Sequence, residues 1–484
     1  MNTAAVKLEA PHRTWALNLR ERRWVAALGD VLVAGLAATG ALALWSWADH
    51  GSITLTWMVE RSLWVPMLAA MWTAGLWLSG TYALPSLYRT PSSGRTLLTA
   101  AALTVGAYLP IYFAAPRTAL PRLVVLEMAG LAVVLTAGWR RLWARWMGHA
   151  GMIRPVLIVG TGEAGLAVAA LLQERPQAGY RAVGFVDDGL PGDAHASSPL
   201  EERPNSLPLV GRIRELPDLV ARTGAVEVVV ATRETPTPEL ADGLTQCHAW
   251  GVAVTSAAEL YENLTGRVPL DWVGDDWLTV LPLNHRGTGV LYRSAKRLMD
   301  IAGATLGLLL FLPFLPLMAL AIRLDSPGPV FYRQKRVGRG GRVFTIWKLR
   351  TMRPDAEAED HPVWARVDDP RVTRVGRWLR KFRIDEFPQF WNVLKGDMSA
   401  VGPRPERPEF EQELARHIPF YPLRHAVKPG MAGWAMIHHD YVDSLEDART
   451  RLEYDLYYIK HQSLWLDVQI IVQAVLELLA RKGR

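Results

Sequence analysis

The sequence predicts a membrane α-helical bundle, then an α/β Rossmann-like domain, then a small α/β domain that carries a re-entrant membrane helix. Three observations predict this order. Half of the 484 residues are hydrophobic, and many cluster into runs long enough to span the roughly 30 Å of bilayer hydrocarbon. A glycine-rich turn follows a short apolar strand in the middle of the chain, and a fifth apolar run is broken by prolines and flanked on both sides by Arg and Lys. The expected boundaries are 1–147 for the bundle, 148–288 for the Rossmann-like domain and 289–484 for the last domain, with the re-entrant helix over about 297–324.

Four spans are expected, at about Trp24–Trp47, Leu63–Leu84, Leu97–Ala115 and Val124–Leu142. The first follows Arg20, Arg22 and Arg23 and is too long for the apolar part of a signal peptide, so it is expected to be retained. Arg89 and Arg95 lie between the second and third spans, and Arg140, Arg141 and Arg145 close the fourth. The opposite loops are poorer in cations, so the basic bias puts both ends of the bundle in the cytoplasm. Asp30 falls within the first span, where a carboxylate serves either function or helix packing near the interface.

In the middle domain, Pro155–Val159 reads as a buried strand running into G-T-G-E-A-G, with Gly160, Gly162 and Gly165 at the spacing of a dinucleotide-type turn. A second strand, Ala182–Val186, ends at Asp187-Asp188, where that fingerprint places a ribose-binding acid. Strands at Val226–Ala231 and Val252–Thr255, separated by a helix around Pro238–Trp250, continue the alternation of a parallel sheet. The glycines serve either a nucleotide or tight strand-to-helix packing. Ser197–Pro208, rich in Ser, Pro and Glu, reads as an excursion from this domain.

Ile301–Ile322 is long enough to cross the bilayer, but Pro313 and Pro316 each remove a helical hydrogen bond in its middle. Arg293, Lys296 and Arg297 precede it, and Arg323, Arg333, Lys335 and Arg336 follow. A crossing would put one basic cluster outside, against the orientation bias. A helix that enters, breaks at Pro313 and returns to the same face meets all three observations; a fifth true span is the alternative.

Beyond it, Ser326–Met352 alternates apolar residues with Arg and Lys, the pattern of strands on a headgroup surface, with Tyr332 and Trp347 at the interface and Arg333, Lys335, Arg336 and Arg339 toward anionic lipid or substrate phosphate. The adjacent carboxylates Asp385 and Glu386 follow an expected helix through Val375–Phe382, with Arg380, Lys381, Arg383, Lys395 and Arg404 close in sequence. A carboxylate attacks phosphorus only where cations or a metal offset the charges. The net charge of +7 concentrates at membrane flanks and around this pair, which fits lipid and phosphate and gives no sign of nucleic acid. The single Cys247 excludes an internal disulfide and any cysteine metal cluster.

The run D-E-F-P-Q-F-W-N-V-L-K-G-D-M-S-A-V-G-P-R-P, from Asp385 to Pro405, resembles the signature of the bacterial sugar transferases, the monotopic polyprenol-phosphate phosphoglycosyl transferases. K-R-L-M-D, from Lys296 to Asp300, and K-L-R-T-M, from Lys348 to Met352, are similar to further motifs of that family, and its larger members carry a four-helix bundle and a Rossmann-like domain ahead of the catalytic part. The resemblance implies that Asp385 attacks the β-phosphorus of a UDP-hexose, expels UMP and carries the phospho-sugar until undecaprenyl phosphate takes it, at an early membrane step of polysaccharide synthesis. It implies that Glu386 assists, holding Mg²⁺ or moving a proton, and that Lys348, Arg350, Arg380 and Arg404 border or bind the phosphates. Mg²⁺ suits hard carboxylate and phosphate oxygens, and no His/Cys cluster favours zinc. The chain departs from the pattern at Leu312, Ala432 and Met436, while its G-P-R-P-E-R-P-E-F and E-Y-D-L-Y-Y-I-K-H-Q-S-L-W-L-D segments are similar to exopolysaccharide-associated members. A homodimer is also expected.

Two other classes are weighed. A membrane-anchored nucleotide-sugar dehydratase or epimerase needs a catalytic Tyr-x-x-x-Lys, and Tyr292 and Lys296 have that spacing, but no second G-x-G-x-x-G lies in the last 190 residues. A nonenzymatic assembly scaffold leaves the carboxylates and arginines unexplained. The final apolar helix, Leu464 to Leu479, followed by Arg481, Lys482 and Arg484, suits either a membrane surface or the core.

Overall fold

The computed structural model describes residues 17, 19–82, 94–114, 120–147, 152–188, 207–232, 236–272, 289–353, 369–439 and 444–480. They fall into two compact units, Met1–Val280 and Leu281–Arg484. Arg89, Arg117, most of Ser197–Pro208 and the basic residues after Ala480 lie outside the described residues.

The first unit begins with helices α1 (Leu19–His50), α2 (Trp64–Leu78), α3 (Gly94–Ala114) and α4 (Arg122–Met147). α1 packs on α2 and α4, and α3 packs on both of those, closing a four-membered ring. Ala34, Ala37, Ala38 and Ala41 give α1 a small-residue face that lets the backbones approach, and this face meets Trp72, Leu76, Val124 and Met128. Leu28, Leu32, Leu36 and Leu44 of the same helix point outward and are exposed, as a lipid-facing surface requires. α1, α3 and α4 are long and apolar enough to cross a membrane, and the chain is a membrane protein.

The second expected span, Leu63–Leu84, is helical only over the 15 residues of α2. At 1.5 Å per residue this reaches about 22 Å, short of a full hydrocarbon layer. Ser79 Oγ donates to Leu76 O at 2.7 Å, and Gly80 takes φ +80°, a left-handed turn that ends the helix. Asp30 serves packing: fully buried, it accepts from Arg140 of α4 and from the Tyr82 hydroxyl. Trp72 Nε1 donates to Thr136 Oγ1 at 3.2 Å, a second polar tie across the bundle.

The same unit holds five parallel strands, β1 (Arg154–Val159), β2 (Tyr180–Val186), β3 (Leu209–Gly211), β4 (Glu227–Val230) and β5 (Ala253–Ser256), in the order β3-β2-β1-β4-β5. The short edge strand β3 was not foreseen, because three residues carry too little periodicity to register. Side chains alternate across the sheet. Val156 and Ile158 pack on Val168 and Leu172 of α5 (Glu163–Glu174), whereas Leu157 and Val159 pack on Leu216, Leu219 and Val220 of α6 (Leu216–Thr223) and Leu240 of α7 (Pro238–Ala249). Order and layering are those of a Rossmann-like domain. Arg22, buried at the start of α1, donates to Met152 O (2.5 Å), Ala178 O (2.9 Å) and Gly179 O (3.4 Å), which fixes the first helix to the turn ahead of β2.

The second unit opens with α8 (Val290–Phe311), a 3₁₀ turn over Leu312–Phe314, and α9 (Leu315–Asp325). The regular helix thus breaks where Pro313 stands. Leu306, Leu309, Leu310, Phe314, Leu317 and Leu320 are exposed around the break, while Phe311 and Ile322 are buried against Leu349 and Leu379. The antiparallel hairpin β6 (Phe331–Val337) and β7 (Val343–Leu349) follows, then α10 (Arg374–Lys381), a 3₁₀ turn over Ile384–Glu386 and α11 (Gln389–Lys395). Two short parallel strands, β8 (Ser399–Val401) and β9 (Gly430–Ala432), lie on either side of a helix over Pro408–His417, and a short helix over Trp434–His438 leads to the helices α12 (Leu445–Lys460) and α13 (Leu464–Ala480).

The polar residues of K-R-L-M-D tie α8 to this unit. Lys296 Nζ lies 3.0 Å from buried Asp467, Arg297 donates to Val393 O and Leu394 O at 2.6 Å, and Asp300 accepts from Ser399 Oγ and Ala400 N at 2.9 Å. Arg297 therefore caps the C-terminus of α11, where the helix dipole favours a cation.

Candidate active site

Thr373 caps α10 by accepting from Gly376 N at 3.0 Å, and the helix runs one residue earlier than expected. Arg383 then takes φ +51°, a left-handed conformation that is strained for a residue carrying a Cβ and turns the chain sharply into the 3₁₀ turn holding Asp385 and Glu386. Behind them Asn392, 1% exposed, accepts from Trp347 N (3.2 Å) and donates to Thr345 O (2.7 Å). This sets α11 on β7, and β7 in turn carries Lys348.

The two carboxylates have different surroundings. Glu386 Oε1 receives Arg404 Nη2 at 2.8 Å and Lys348 Nζ at 3.3 Å. Burial alone would raise the Glu386 carboxyl, but the Arg404 and Lys348 charges hold it well below the usual range. Burial in turn lowers the Lys348 ammonium. Asp385, 8% exposed, accepts no hydrogen bond from the described residues. Burial, and next the Glu386 charge, raise its carboxyl above the usual range against the pull of Lys348, Arg380 and Arg404. Arg404 and Lys348 thus bond directly to Glu386 and act on Asp385 only through their charge.

Arg380 donates Nε to Thr351 Oγ1 at 2.8 Å and belongs to the charges acting on Asp385. Arg350 is placed differently from expectation. Its guanidinium is buried and donates to Ser326 O (2.6 Å) and Pro327 O (2.7 Å), with Ile322 O at 3.5 Å, so it closes the C-terminal end of α9 and does not reach toward phosphate. Arg336, expected on the headgroup side, turns inward to Pro405 O (3.0 Å) and Glu406 (3.6 Å), while Arg333 and Lys335 stay exposed on the other face of β6. Strand alternation decides this, since neighbouring residues face opposite sides. Tyr292 and Lys296 both point at Asp467 (2.9 and 3.0 Å), which absorbs the Tyr-x-x-x-Lys spacing into a buried structural cluster.

Residues 291–481 match the bacterial sugar transferase family, and residues 77–258 match a CoA-binding domain. The UDP-glucose:undecaprenyl-phosphate glucose-1-phosphate transferase of Escherichia coli (strain K12) is 33% identical over 355 residues, 72% of this chain and 73% of that protein. This chain belongs to the bacterial sugar transferase family. Two further relatives are similar over a smaller share of their length. The UDP-N-acetylgalactosamine-undecaprenyl-phosphate N-acetylgalactosaminephosphotransferase of Aeromonas hydrophila is 42% identical over 277 residues, 56% of this chain and 63% of the relative. The undecaprenyl-phosphate glucose phosphotransferase of Komagataeibacter xylinus is 35% identical over 341 residues, 66% and 58% of the two chains.

The glycine-rich turn of this chain does not fit the pyrophosphate of CoA or a dinucleotide. Asp187 accepts from Thr161 N (2.7 Å) and Thr161 Oγ1 (2.5 Å), closing the turn on itself, and Glu163 adds a carboxylate in the first turn of α5, where an anion would sit. Gly165 has a packing reason: a Cβ there would lie 2.1 Å from Gly160 O. The carboxylate pair does fit a hard divalent cation. Asp385 offers unbonded oxygens, and Mg²⁺ is commonly held by one or two carboxylates with substrate phosphate and water completing its shell. No group of three or more His, Cys, Asp or Glu that would cage a metal occurs among the described residues.

Proposed function

We propose that this sugar transferase moves hexose-1-phosphate from a UDP-hexose to undecaprenyl phosphate by way of a phospho-sugar on Asp385. The observation that carries the proposal is the asymmetry of the pair: Glu386 is clamped by Arg404 and Lys348, whereas Asp385 beside it accepts no bond from the described residues. An oxygen of Asp385 attacks the β-phosphorus of the donor. A bond from carboxylate to phosphorus forms, the bond from that phosphorus to the oxygen shared with the α-phosphate breaks, and its electron pair leaves with UMP. The phosphate oxygen of undecaprenyl phosphate then attacks the same phosphorus, releases the Asp385 carboxylate and yields an undecaprenyl diphosphate-linked hexose. Lys348 and Arg404 face the charge that builds up on the phosphoryl oxygens, and Arg380 lies near enough to Asp385 to act on its charge. Mg²⁺, when bound, supplies neutralisation of the donor diphosphate. The names of the relatives support a glucose or N-acetylgalactosamine donor.

The same proposal puts α8 and α9 into the cytoplasmic leaflet of the inner membrane as a re-entrant pair. Val290–Asp325 is 36 residues, about 54 Å as one straight helix and far more than one hydrocarbon layer. Both halves are anchored to one α/β unit, through Asp300 at one end and through Asp325, which accepts from Val375 N at 2.8 Å, at the other. The test is UMP/UDP-hexose exchange by purified protein without undecaprenyl phosphate. Exchange requires the covalent species; UMP release that begins only when both substrates are present would refute it.

A further inference from the structure

Arg404 grips Glu386 from a segment, Pro403–Glu406, whose four carbonyls all accept hydrogen bonds from other elements. Gly430 N donates to Pro403 O (2.9 Å), Arg424 Nη2 to Arg404 O (2.9 Å), Arg336 Nη1 to Pro405 O (3.0 Å) and Val337 N to Glu406 O (2.9 Å). Pro403 and Pro405 restrict φ on either side of Arg404, so the segment has little freedom except to move as a whole. Three of the four bonds come from strands or from a rim arginine. The fourth comes from the interior: Arg424 and Asp455 of α12 form an ion pair at 2.9 Å with both side chains 2% exposed, and Arg424 Nη1 donates to Tyr421 Oη at 2.6 Å. The gap left between Arg404, Arg424, Pro403 and Pro405 has a volume of about 10 Å³, room for a single water at most.

We infer that Arg424, held by Asp455 and Tyr421, is a positioning residue for the transfer: it fixes the backbone of Arg404 and through it the Arg404–Glu386 contact. The inference rests on the reaction proposed above and adds to it a function for the E-Y-D segment of α12. One guanidinium reaches three acceptors in different directions, a fork that an ammonium does not reproduce. Removing the Arg424 charge altogether would strand Asp455 in the interior, so the informative substitution keeps it.

The experiment is Arg424→Lys in the full-length protein in lipid nanodiscs, read as UMP release with undecaprenyl phosphate and whichever of UDP-glucose and UDP-N-acetylgalactosamine the wild type uses. Supporting partners of an active group typically contribute about 10- to 100-fold. The expected result, read below the variant's own unfolding transition, which the lost buried hydrogen bonds lower, is a kcat lower by about 10-fold with a donor KM within about twofold. In an Arg404→Gln background the same substitution should cost less than about twofold, because the group it positions is gone. A general structural role would lower turnover by the same factor in both backgrounds, and that result overturns the inference, as does folded Arg424→Lys with wild-type turnover. Where Arg424→Lys does not fold, Tyr421→Phe, which keeps the ion pair, takes its place: a loss of about threefold confined to the Arg404 background supports the inference, and any other pattern overturns it. A wild type that releases no UMP from either donor overturns the proposed reaction itself, and the role of Arg424 with it.

Discussion

Asp385→Asn and Glu386→Gln should part activity from stability in opposite ways. Asp385 accepts no hydrogen bond from the described residues, so an amide in its place orphans no donor and removes a charge that burial and Glu386 already disfavour. Its melting temperature should stay close to that of wild type, or rise, since the change relieves a buried charge held beside Glu386. Glu386 accepts two charge-assisted bonds with side chains 12% (Glu386), 18% (Lys348) and 29% (Arg404) exposed. Each such bond contributes about 1.5 kcal/mol at the low end suited to partly hydrated groups, and a neutral acceptor keeps about half, so Glu386→Gln should lose about 1.5–2 kcal/mol. Catalysis should show the reverse emphasis. Asp385→Asn deletes the nucleophile and should lower transfer by at least about 10³-fold, more than 4 kcal/mol of barrier, and abolish both the phospho-sugar adduct by intact mass and the UMP exchange. Glu386→Gln should keep a slow, detectable adduct. Thermal unfolding in detergent and mass spectrometry of both variants decide the matter. A destabilised Asp385→Asn beside an unaltered Glu386→Gln would refute the division of roles, and an adduct surviving on Asp385→Asn would refute the covalent assignment.

Cysteines introduced at Arg293 and Arg333, with buried Cys247 replaced by serine, should react only with reagent supplied from the cytoplasmic side; labelling of one of them from the periplasm would favour a true span. Arg140→Leu should destabilise the bundle by about 3–5 kcal/mol, because Asp30 is left buried and uncompensated, and Asp30→Leu combined with it should recover most of the loss in thermal unfolding. A truncation beginning near Gly289 should keep measurable UMP release, since Asp385, Glu386, Lys348 and Arg404 all belong to the unit Leu281–Arg484; a folded, membrane-bound but inactive product would assign the middle domain a part in the chemistry.

The apolar runs and the alternation of strand and helix were legible because their signals are local and repeated. α2 fell short of its run because Ser79 and Gly80 stop a helix whatever apolar residues follow. In the site, adjacency in sequence paired Asp385 with Glu386 and the family resemblance pointed to Lys348, but neither said which carboxylate the cations would hold. Arg350 shows the limit most clearly. Its spacing in K-L-R-T-M is the same whether it meets a phosphate or the last carbonyls of α9, and only the path of the chain from Ile322 to Pro327 decides for the carbonyls. Arg424 and Asp455, 31 residues apart, offer no periodic or motif signal to each other, and their pairing emerges only with the packing of α12. The same holds for Asp187: its position matched a ribose-binding acid, and the structure gives that carboxylate to Thr161.

Phe311, the last residue of α8, stacks edge to face on Phe387, one residue beyond Glu386, with ring centroids 5.5 Å apart. The apolar break between α8 and α9 and the pair of carboxylates are therefore packed together in one unit. If that break is the re-entrant tip proposed above, the unit would float at a level set by its apolar end, much as a keel sets the waterline of a hull, and the height of Asp385 above the acyl chains would be built into the fold. A polyprenol whose tail is anchored in the same leaflet presents its phosphate at a height fixed by the same hydrocarbon boundary. Bilayer thickness and headgroup packing would then tune the encounter without altering a single contact inside the protein.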